Sequence, residues 1–241
     1  MIILAIDTTS KTMSVSLTEN ERLIGLSILN TENTHSTTLL PSIEGMLCAA
    51  GMTPSDVDLY VCSAGPGSFT GVRIGAATVK GLAFAGNKKC IGVSSLEALA
   101  MNVTDGEGIV CAVMDARRNQ LYNALFEINR DGVLKRLTPD RCITREELLS
   151  ELSNTKEKIY LVGDGYDIAK NALKSLNCPD IRETVKYHNA YSVAMLGFKS
   201  YNDLSDVERE KLTASALSPV YLRASQAERE REERLKVENK K

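Results

Sequence analysis

Tryptophan is absent from this 241-residue sequence, and histidine occurs only twice, at His35 and His188. The two histidines are far apart along the chain, so neither an HExxH nor an HxxxH pair can form. Paired histidines on one helix are the usual source of metal ligands in metalloproteases. The sequence therefore excludes a metalloprotease of that type, and we expect no metal site.

Cysteine occurs six times but never as a CxxC pair. This spacing lacks the short repeats of zinc ribbons and of disulfide frameworks. Several cysteines stand inside apolar, strand-like runs, of which Tyr60 to Cys62 is one example. We expect buried, reduced thiols in a reducing environment.

Long hydrophobic runs are also missing, since no stretch reaches the roughly 20 apolar residues that a membrane span needs. The chain begins directly with the apolar run Ile2 to Asp7, without a basic leader or a cleavage site. These absences predict a cytoplasmic protein without a membrane partner.

Neither sign of charge dominates, because 29 basic and 31 acidic residues give a formal net charge of -2. Such a chain has no global attraction to polyanions, so any contact with nucleic acid must be local or supplied by a partner. Apolar residues make up 43% of the sequence. This fraction is enough to build one large core or two small ones.

The order of predicted elements is more informative than any single element. In the first half, period-two runs predict strands and period-3.6 patterns predict helices. The predicted strands are 2–7, 13–17, 23–29, 58–63 and 90–93, and the predicted helices are 39–50, 71–85 and 95–101. The first half is therefore expected to be βββαβαβα.

The second half repeats this order with little sequence identity. Its predicted strands are 109–115, 121–128, 133–137, 158–162 and a short one near Ile181, and its predicted helices are 144–152, 168–176 and 192–201. Two βββαβαβα units predict an α/β protein with an internal duplication, as in the actin-like (ASKHA, RNase H-like) superfamily.

The polar stretch around Asp105 divides the chain into two predicted lobes. Residues 1–105 form the first lobe and residues 106–223 the second. The last segment of the second lobe either stays with that lobe or packs back on the first. Residues 224–241 form a charged tail of alternating sign. This tail is either a solubilising extension or a tRNA contact.

In the actin-like superfamily a nucleotide lies between the lobes, and here both first strands end in an aspartate, Asp7 and Asp115. These carboxylates either face each other and hold a hydrated metal against phosphates, or cap turns at the strand ends. Neither is followed by the glycine of a DxG motif, which lets the backbone approach a phosphate. The sequence therefore predicts a degenerate cleft with weak nucleotide affinity.

A glycine-rich segment, Ala64 to Gly75, joins a predicted strand to a predicted helix. Its residues Gly65 and Gly67 could present backbone amides and the positive helix end to an anion in the nucleotide cleft. The segment lacks the GK[ST] ending of a P-loop, and a Gly-Pro-Gly turn is also a common tight connection. Both roles remain open from the sequence.

Five segments together resemble the signature segments of the TsaB (YeaZ) family. They are Ile3 to Thr9, His35 to Pro41, Gly65 to Arg73, Met114 to Arg117 and Pro219 to Arg223. They occur in the family's order over nearly the whole chain. The resemblance implies a role in forming threonylcarbamoyladenosine beside the anticodon of tRNAs that read codons starting with A.

The resemblance also implies partners. In that pathway TsaD transfers the threonylcarbamoyl group from an adenylate, and TsaB and the ATPase TsaE support it. The implied role is a non-catalytic subunit that binds and activates TsaD together with TsaE, forms a homodimer when alone and meets tRNA only through the complex. It implies no cofactor of its own, with ATP or ADP bound in the assembled complex.

TsaD-like paralogues place two metal-binding histidines, four residues apart, soon after the glycine-rich helix. The matching positions here carry Ser95 and Leu99. Leucine cannot ligate a metal, and no neighbouring residue replaces it. The resemblance therefore implies that the chemistry of transfer belongs to the partner.

The first two predicted helices have broader apolar surfaces than the cover of one sheet face requires. The predicted interface with TsaD or a second copy comprises His35, Leu39, Ile43, Met46, Leu47, Val72, Ile74, Gly75, Ala76, Val79 and Ala83. The alternative is that both helices are enclosed in a deep intramolecular core.

A second function remains open from the sequence, a free-standing ATP-dependent enzyme of the actin-like superfamily, such as a small-molecule kinase. Turnover of ATP by the purified chain alone would separate the two functions. A protease is not supported, because the sequence assembles neither a metal pair nor a nucleophile with its base.

Overall fold

The computed structural model describes residues 1–223, and its first half contains five strands and three α-helices. The strands are β1 (Ile2–Asp7), β2 (Met13–Glu19), β3 (Arg22–Leu29), β4 (Leu59–Gly65) and β5 (Lys89–Ser94). The helices are α1 (His35–Ala49), α2 (Phe69–Gly86) and α3 (Ser95–Ala100), with a short 3-10 helix at Pro54–Asp56. The strands form one sheet in the order β3-β2-β1-β4-β5.

The second half builds another five-stranded sheet. Its strands are β6 (Gly108–Arg117), β7 (Gln120–Ile128), β8 (Leu134–Arg136), β9 (Arg141–Thr144) and β10 (Ile159–Val162). Its helices are α4 (Arg145–Leu152), α5 (Tyr166–Ala172), α6 (Glu183–Lys186), α7 (Ala190–Asp203) and α8 (Asp206–Arg209). The strand order is β10-β6-β7-β8, and β9 pairs with β7.

Both sheets share a central pattern that confirms the predicted duplication. In each, the first strand lies between an antiparallel second strand and the parallel strand that follows the first helix. One prediction for the second lobe is wrong, because Ile181 lies in a loop before α6 and no strand forms there within the described chain. Its side chain packs against the core without a strand partner. The strand β9 was not predicted, since four residues carry too little periodicity.

The ends of the helices follow from local capping. The Ser68 hydroxyl accepts the Gly71 amide at the start of α2, and Asn87 ends that helix in the left-handed conformation with φ 49°. In the second lobe, Thr144 and Glu147 form a capping box at the start of α4. Such caps satisfy backbone groups that the helix itself leaves without partners.

Helix α3 of the first half and helix α7 of the second half each pack on the sheet of the other half. Alternate residues of β1 face opposite sides, and Leu4 and Ile6 pack against α1 and α2. Ile3 and Ala5 lie on the other side, where Val193 and neighbouring residues of α7 cover them. Conversely, α3 packs on β6 and β7 of the second sheet. The two lobes therefore exchange helices and are not independent units.

The cysteines occupy different environments. Cys62, Cys90 and Cys111 are buried in strands, whereas Cys48 is exposed on α1. Burial raises the pKa of Cys62 and Cys111 to about 12. A thiol with such a pKa carries almost no thiolate at neutral pH and is therefore unreactive.

Within residues 1–223 no helix combines the length and apolarity required to cross a bilayer. The charged tail predicted for residues 224–241 lies outside the described residues.

Candidate functional site

A cavity of about 530 Å³ lies between the two lobes. It is lined by the β1–β2 turn, the start of α2, the β6–β7 turn, Asp164 after β10 and the segment 220–223. Of the four residues predicted for a nucleotide cleft, Gly67 and Asp115 line this cavity. Asp7 and Gly65 are not among its lining residues.

Asp7 is enclosed by partners and is only 1% exposed. One carboxylate oxygen accepts hydrogen bonds from the Thr9 amide (2.8 Å) and hydroxyl (2.7 Å). The other accepts the Ser63 hydroxyl and contacts His188 Nδ1 at 3.0 Å. Burial opposes ionisation, but the charge of His188 and these hydrogen bonds outweigh it and hold the pKa of Asp7 at about 2.

These contacts bear on the two roles considered for Asp7. A carboxylate with both oxygens bonded inside the protein has no ligand position to turn toward a metal in the cavity. The structure favours the turn-capping role, because Asp7 bonds the amide two residues further along. Over residues 1–223 no group of three or more His, Cys, Asp or Glu side chains is placed to hold a metal ion.

His188 is a residue that sequence reasoning missed. It belongs to the second half of the sequence but returns to the first lobe, where it is 1% exposed. Burial alone would lower its pKa, yet the charge and hydrogen bond of Asp7, helped by the charge of Asp164, raise the pKa of His188. Nothing in its sequence neighbourhood signals this contact, which depends on the return of the chain before α7.

The Asp7–His188 pair is not part of a catalytic triad. In a triad one imidazole nitrogen faces the carboxylate and the other faces the nucleophile. Here the Thr9 hydroxyl lies 3.3 Å from Nδ1, the same nitrogen that faces Asp7. Nε2 has no hydrogen-bond partner among the described residues. The buried hydroxyls therefore support the ion pair and are not activated by it.

The β6–β7 turn carries unusual backbone strain. Arg117, Arg118 and Asn119 have φ values of 64°, 54° and 66°, a conformation that costs non-glycine residues about 1 kcal/mol or more each. The Asp115 carboxylate accepts the Arg117 amide at 2.7 Å, and the Arg223 guanidinium donates to the carbonyls of Ala116 and Arg117. These bonds hold the turn at the wall of the cavity.

The cavity wall is locally basic in an otherwise slightly acidic chain. Lys11, Arg117, Arg118 and Arg223 line it, against the two carboxylates Asp115 and Asp164. Burial raises the pKa of Asp164, although the charge of His188 and a hydrogen bond from the Asp115 amide act against it.

Close packing explains Gly65 and Gly67 of the glycine-rich segment. Gly65 has φ 116°, and a side chain there would meet the Val220 carbonyl oxygen at 2.5 Å. A Cβ on Gly67 would meet the Thr9 carbonyl oxygen at 2.5 Å, and that oxygen also accepts the Ser68 amide. This part of the loop therefore packs against Thr9 and Val220 within the protein, as expected of a tight connection.

The residues predicted for the partner interface fall into two groups. Eight are buried in the first lobe: Leu39, Ile43, Leu47, Val72, Gly75, Ala76, Val79 and Ala83. Three are half-buried: His35, Met46 and Ile74. His35 Nε2 lies 2.7 Å from the Ser10 carbonyl oxygen and so ties the start of α1 to the β1–β2 turn. The buried side chains support the helices from within and have no surface to offer a partner.

Neighbouring residues form the outer face of the two helices. Phe84 on α2 is 81% exposed and Leu40 on α1 is 49% exposed. Gly81 and Ala77 are exposed about one and two turns before Phe84, so the side chains on this surface of α2 are small and uncharged. At the start of α2, Arg73 stacks on Phe69, 3.8 Å from the ring centroid. We call this surface of α1 and α2 the outer helix face.

The positions that correspond to the paralogues' histidines have structural roles here. The Ser95 hydroxyl donates to the Pro66 carbonyl and is fully buried. Leu99 is fully buried in the core that α3 forms with the second sheet.

Comparisons with known proteins give two related names, TsaD for the family model and TsaB for the individual relatives. Residues 29–231 match the family model described as TsaD, tRNA N6-adenosine threonylcarbamoyltransferase. The chain is 31% identical to the tRNA threonylcarbamoyladenosine biosynthesis protein TsaB of Bacillus subtilis over 95% of this chain and 96% of that protein.

Solved structures support the same assignment. YeaZ from Pseudomonas aeruginosa superposes with a TM-score of 0.72 at 26% identity, over 92% of this chain and 99% of that one. Component A of the Acidaminococcus fermentans (R)-2-hydroxyglutaryl-CoA dehydratase shares the fold alone, with a TM-score of 0.50 at 11% identity over 84% and 99% of the two chains. The predicted actin-like fold is confirmed, and the chain belongs to the TsaB (YeaZ) family.

Proposed function

We propose that this chain is a non-catalytic subunit in the formation of threonylcarbamoyladenosine in tRNA, and that it binds and activates a TsaD-type transferase together with TsaE. Family membership supports the pathway, because the Bacillus subtilis relative is named for this biosynthesis. The outer helix face supports a binding role, since Phe84 is the most exposed large apolar side chain of the described residues.

The same face is suited to close helix packing. Small residues on a helix surface let a second helix approach, and an exposed aromatic ring beside them can fill a partner's pocket. A second copy of this chain could occupy the face when TsaD is absent, which would give a homodimer.

The cavity supports a non-catalytic role for this chain. Transfer to an adenosine amino group requires a polarised carbonyl and a stabilised leaving group. Asp7 is bonded on both oxygens, and Ser95 and Leu99 are used in packing. We therefore assign the chemistry and the ATP or ADP of the assembled complex to the partners, with tRNA reached through them.

Capture of purified TsaD by variants tests the interface. Phe84→Glu should weaken capture about 30-fold or more, the factor for a hot spot of 2 kcal/mol. Val133→Glu is the matched control, because Val133 is 60% exposed in the other lobe. Equal loss in both variants, or in neither, would contradict the assignment of the outer helix face.

Reconstitution tests the role itself. The adenylate synthase, TsaD, TsaE, ATP, threonine, bicarbonate and tRNA are combined with and without this chain. We expect modification only when the chain is present. An equal rate without it would refute the subunit role, and modification by this chain with the synthase alone would show that it is catalytic. ATP turnover by the isolated chain would instead support a kinase-like enzyme.

A further inference from the structure

The backbone crosses from the second lobe to the first over residues 186–190, which we call the second crossing. At its start, the Lys186 carbonyl accepts the Gly163 amide of the second lobe at 3.0 Å. At its end, the Ala190 amide donates to the Ser14 hydroxyl of the first lobe at 3.0 Å. His188 lies between these two anchors and contacts Asp7 of the first lobe.

A second tie joins this segment to the other connection between the lobes, residues 101–107. The Asn102 side chain donates to the carbonyls of Val185 (3.2 Å) and Tyr187 (2.7 Å). Its oxygen accepts the Ser192 hydroxyl at 2.8 Å. These Asn102 contacts are between uncharged groups. Lys186 and Tyr187 bond Glu183 at the exposed surface of the second lobe, so the Asp7–His188 contact is the buried ionisable contact of the crossing with the first lobe.

Burial makes this contact sensitive to protonation. Asp7 and His188 are each 1% exposed, so the carboxylate depends on protein partners for its stabilisation. The charged groups that act on His188 are Asp7 at the end of β1 and Asp164 after β10. Loss of the imidazolium charge would leave Asp7 with only neutral donors, the Thr9 amide and the hydroxyls of Thr9 and Ser63.

We propose that the Asp7–His188 pair is a proton-dependent lock on the second crossing. With His188 protonated, the crossing is held against β1. With His188 neutral, residues 186–190 lose their charged contact with Asp7 and open locally more often.

Nuclear magnetic resonance of the full chain tests the lock without a mutation. The chain has only two histidines, so the imidazole signals of His188 and His35 are assigned by a single His35→Gln variant. We expect the pKa of the His188 imidazole to lie above the ordinary histidine value, because Asp7 and Asp164 favour its charged form. A His188 that is neutral throughout, or whose pKa is not raised, would overturn the proposal.

Amide hydrogen exchange tests the consequence for the crossing. At one neutral pH, Asp7→Asn should speed exchange of the Gly163 and Ala190 amides by about ten-fold relative to core amides. Asp58→Asn is the matched control, because the exposed Asp58 carboxylate accepts the Ile2 amide at the other end of β1 (2.7 Å). Unchanged exchange at Gly163 and Ala190 in Asp7→Asn, or equal acceleration in both variants, would refute the lock. If Asp7→Asn does not fold, the same amides are followed in the wild-type chain as the pH rises through the His188 titration.

Discussion

The two lobes place an aspartate at the same position and use it differently. Asp7 ends β1 and is buried in an ion pair with His188. Asp115 stands near the end of β6, lines the cavity and pairs with the exposed Arg117 at 3.3 Å. The repeated pattern places each strand, but residues distant in the sequence decide what its terminal carboxylate does.

The first two helices of the two lobes differ in length and in the side chains that they expose. In the first lobe, α1 and α2 span 15 and 18 residues and expose Leu40 and Phe84. In the second, α4 and α5 span only 8 and 7 residues. The exposed side of α4 is polar, with Glu146, Glu147 and Glu151. Only the first lobe therefore combines long helices with an apolar outer side.

The largest expected difference in the free energy of unfolding is between substitutions of the two aspartates. Asp7→Asn should destabilise the protein by about 3–5 kcal/mol, because it leaves His188 without its buried partner. Asp115→Asn should cost less than about 1 kcal/mol, since its ion pair is exposed to solvent. Urea unfolding of the two variants measures both values. Equal losses would show that the lobes do not differ at this position.

The loss of stability caused by Asp7→Asn should also depend on pH. The pKa of Asp7 is lowered to about 2, so its contribution is present above the ordinary aspartate pKa and lost as pH falls toward 2. The pKa of His188 is raised, so its contribution is present below the ordinary histidine pKa and lost as pH rises through the raised value. The penalty of Asp7→Asn should therefore be greatest between these limits. A penalty independent of pH across the His188 titration would contradict the ion pair.

Adjacent leucines of α1 distinguish the core side from the outer side. Leu39→Ala should cost about 3 kcal/mol, because Leu39 is 1% exposed in the core of the first lobe. Leu40→Ala should change stability by about 0.5 kcal/mol, since this side chain is half exposed. Thermal unfolding gives both values, and a large loss for Leu40→Ala would place that residue in the core.

The smallest expected effect concerns the first turn of each lobe. Arg118→Gly should stabilise the protein by about 0.5 kcal/mol, because relief of the positive φ slightly exceeds the entropy cost of glycine. Ser10→Gly in the β1–β2 turn should destabilise it, since the Ser10 hydroxyl accepts the Thr12 amide. Urea unfolding can resolve the opposite signs. Destabilisation by Arg118→Gly would mean that Arg118 is not strained.

Much of the fold could be predicted because it is encoded in local periodicity. The alternation in β1 fixes its two buried faces, and Thr144 marks the start of α4. The site was harder to predict from the sequence, because the position of His188 depends on the return of the chain from the second lobe to the first. The partner interface predicted from the sequence includes core residues such as Leu39, since a helix with apolar residues on both sides does not indicate which side meets the sheet.

The exchange of helices between the lobes has a consequence for synthesis on the ribosome. The sheet of the first lobe is complete once residue 94 has emerged, but Ile3 and Ala5 stay uncovered until α7 follows. A nascent chain that ends before Asp203 therefore lacks the cover that a complete α7 gives to this apolar sheet face. The first lobe must wait for nearly the whole chain before it is complete, and it is open to chaperones or aggregation until then.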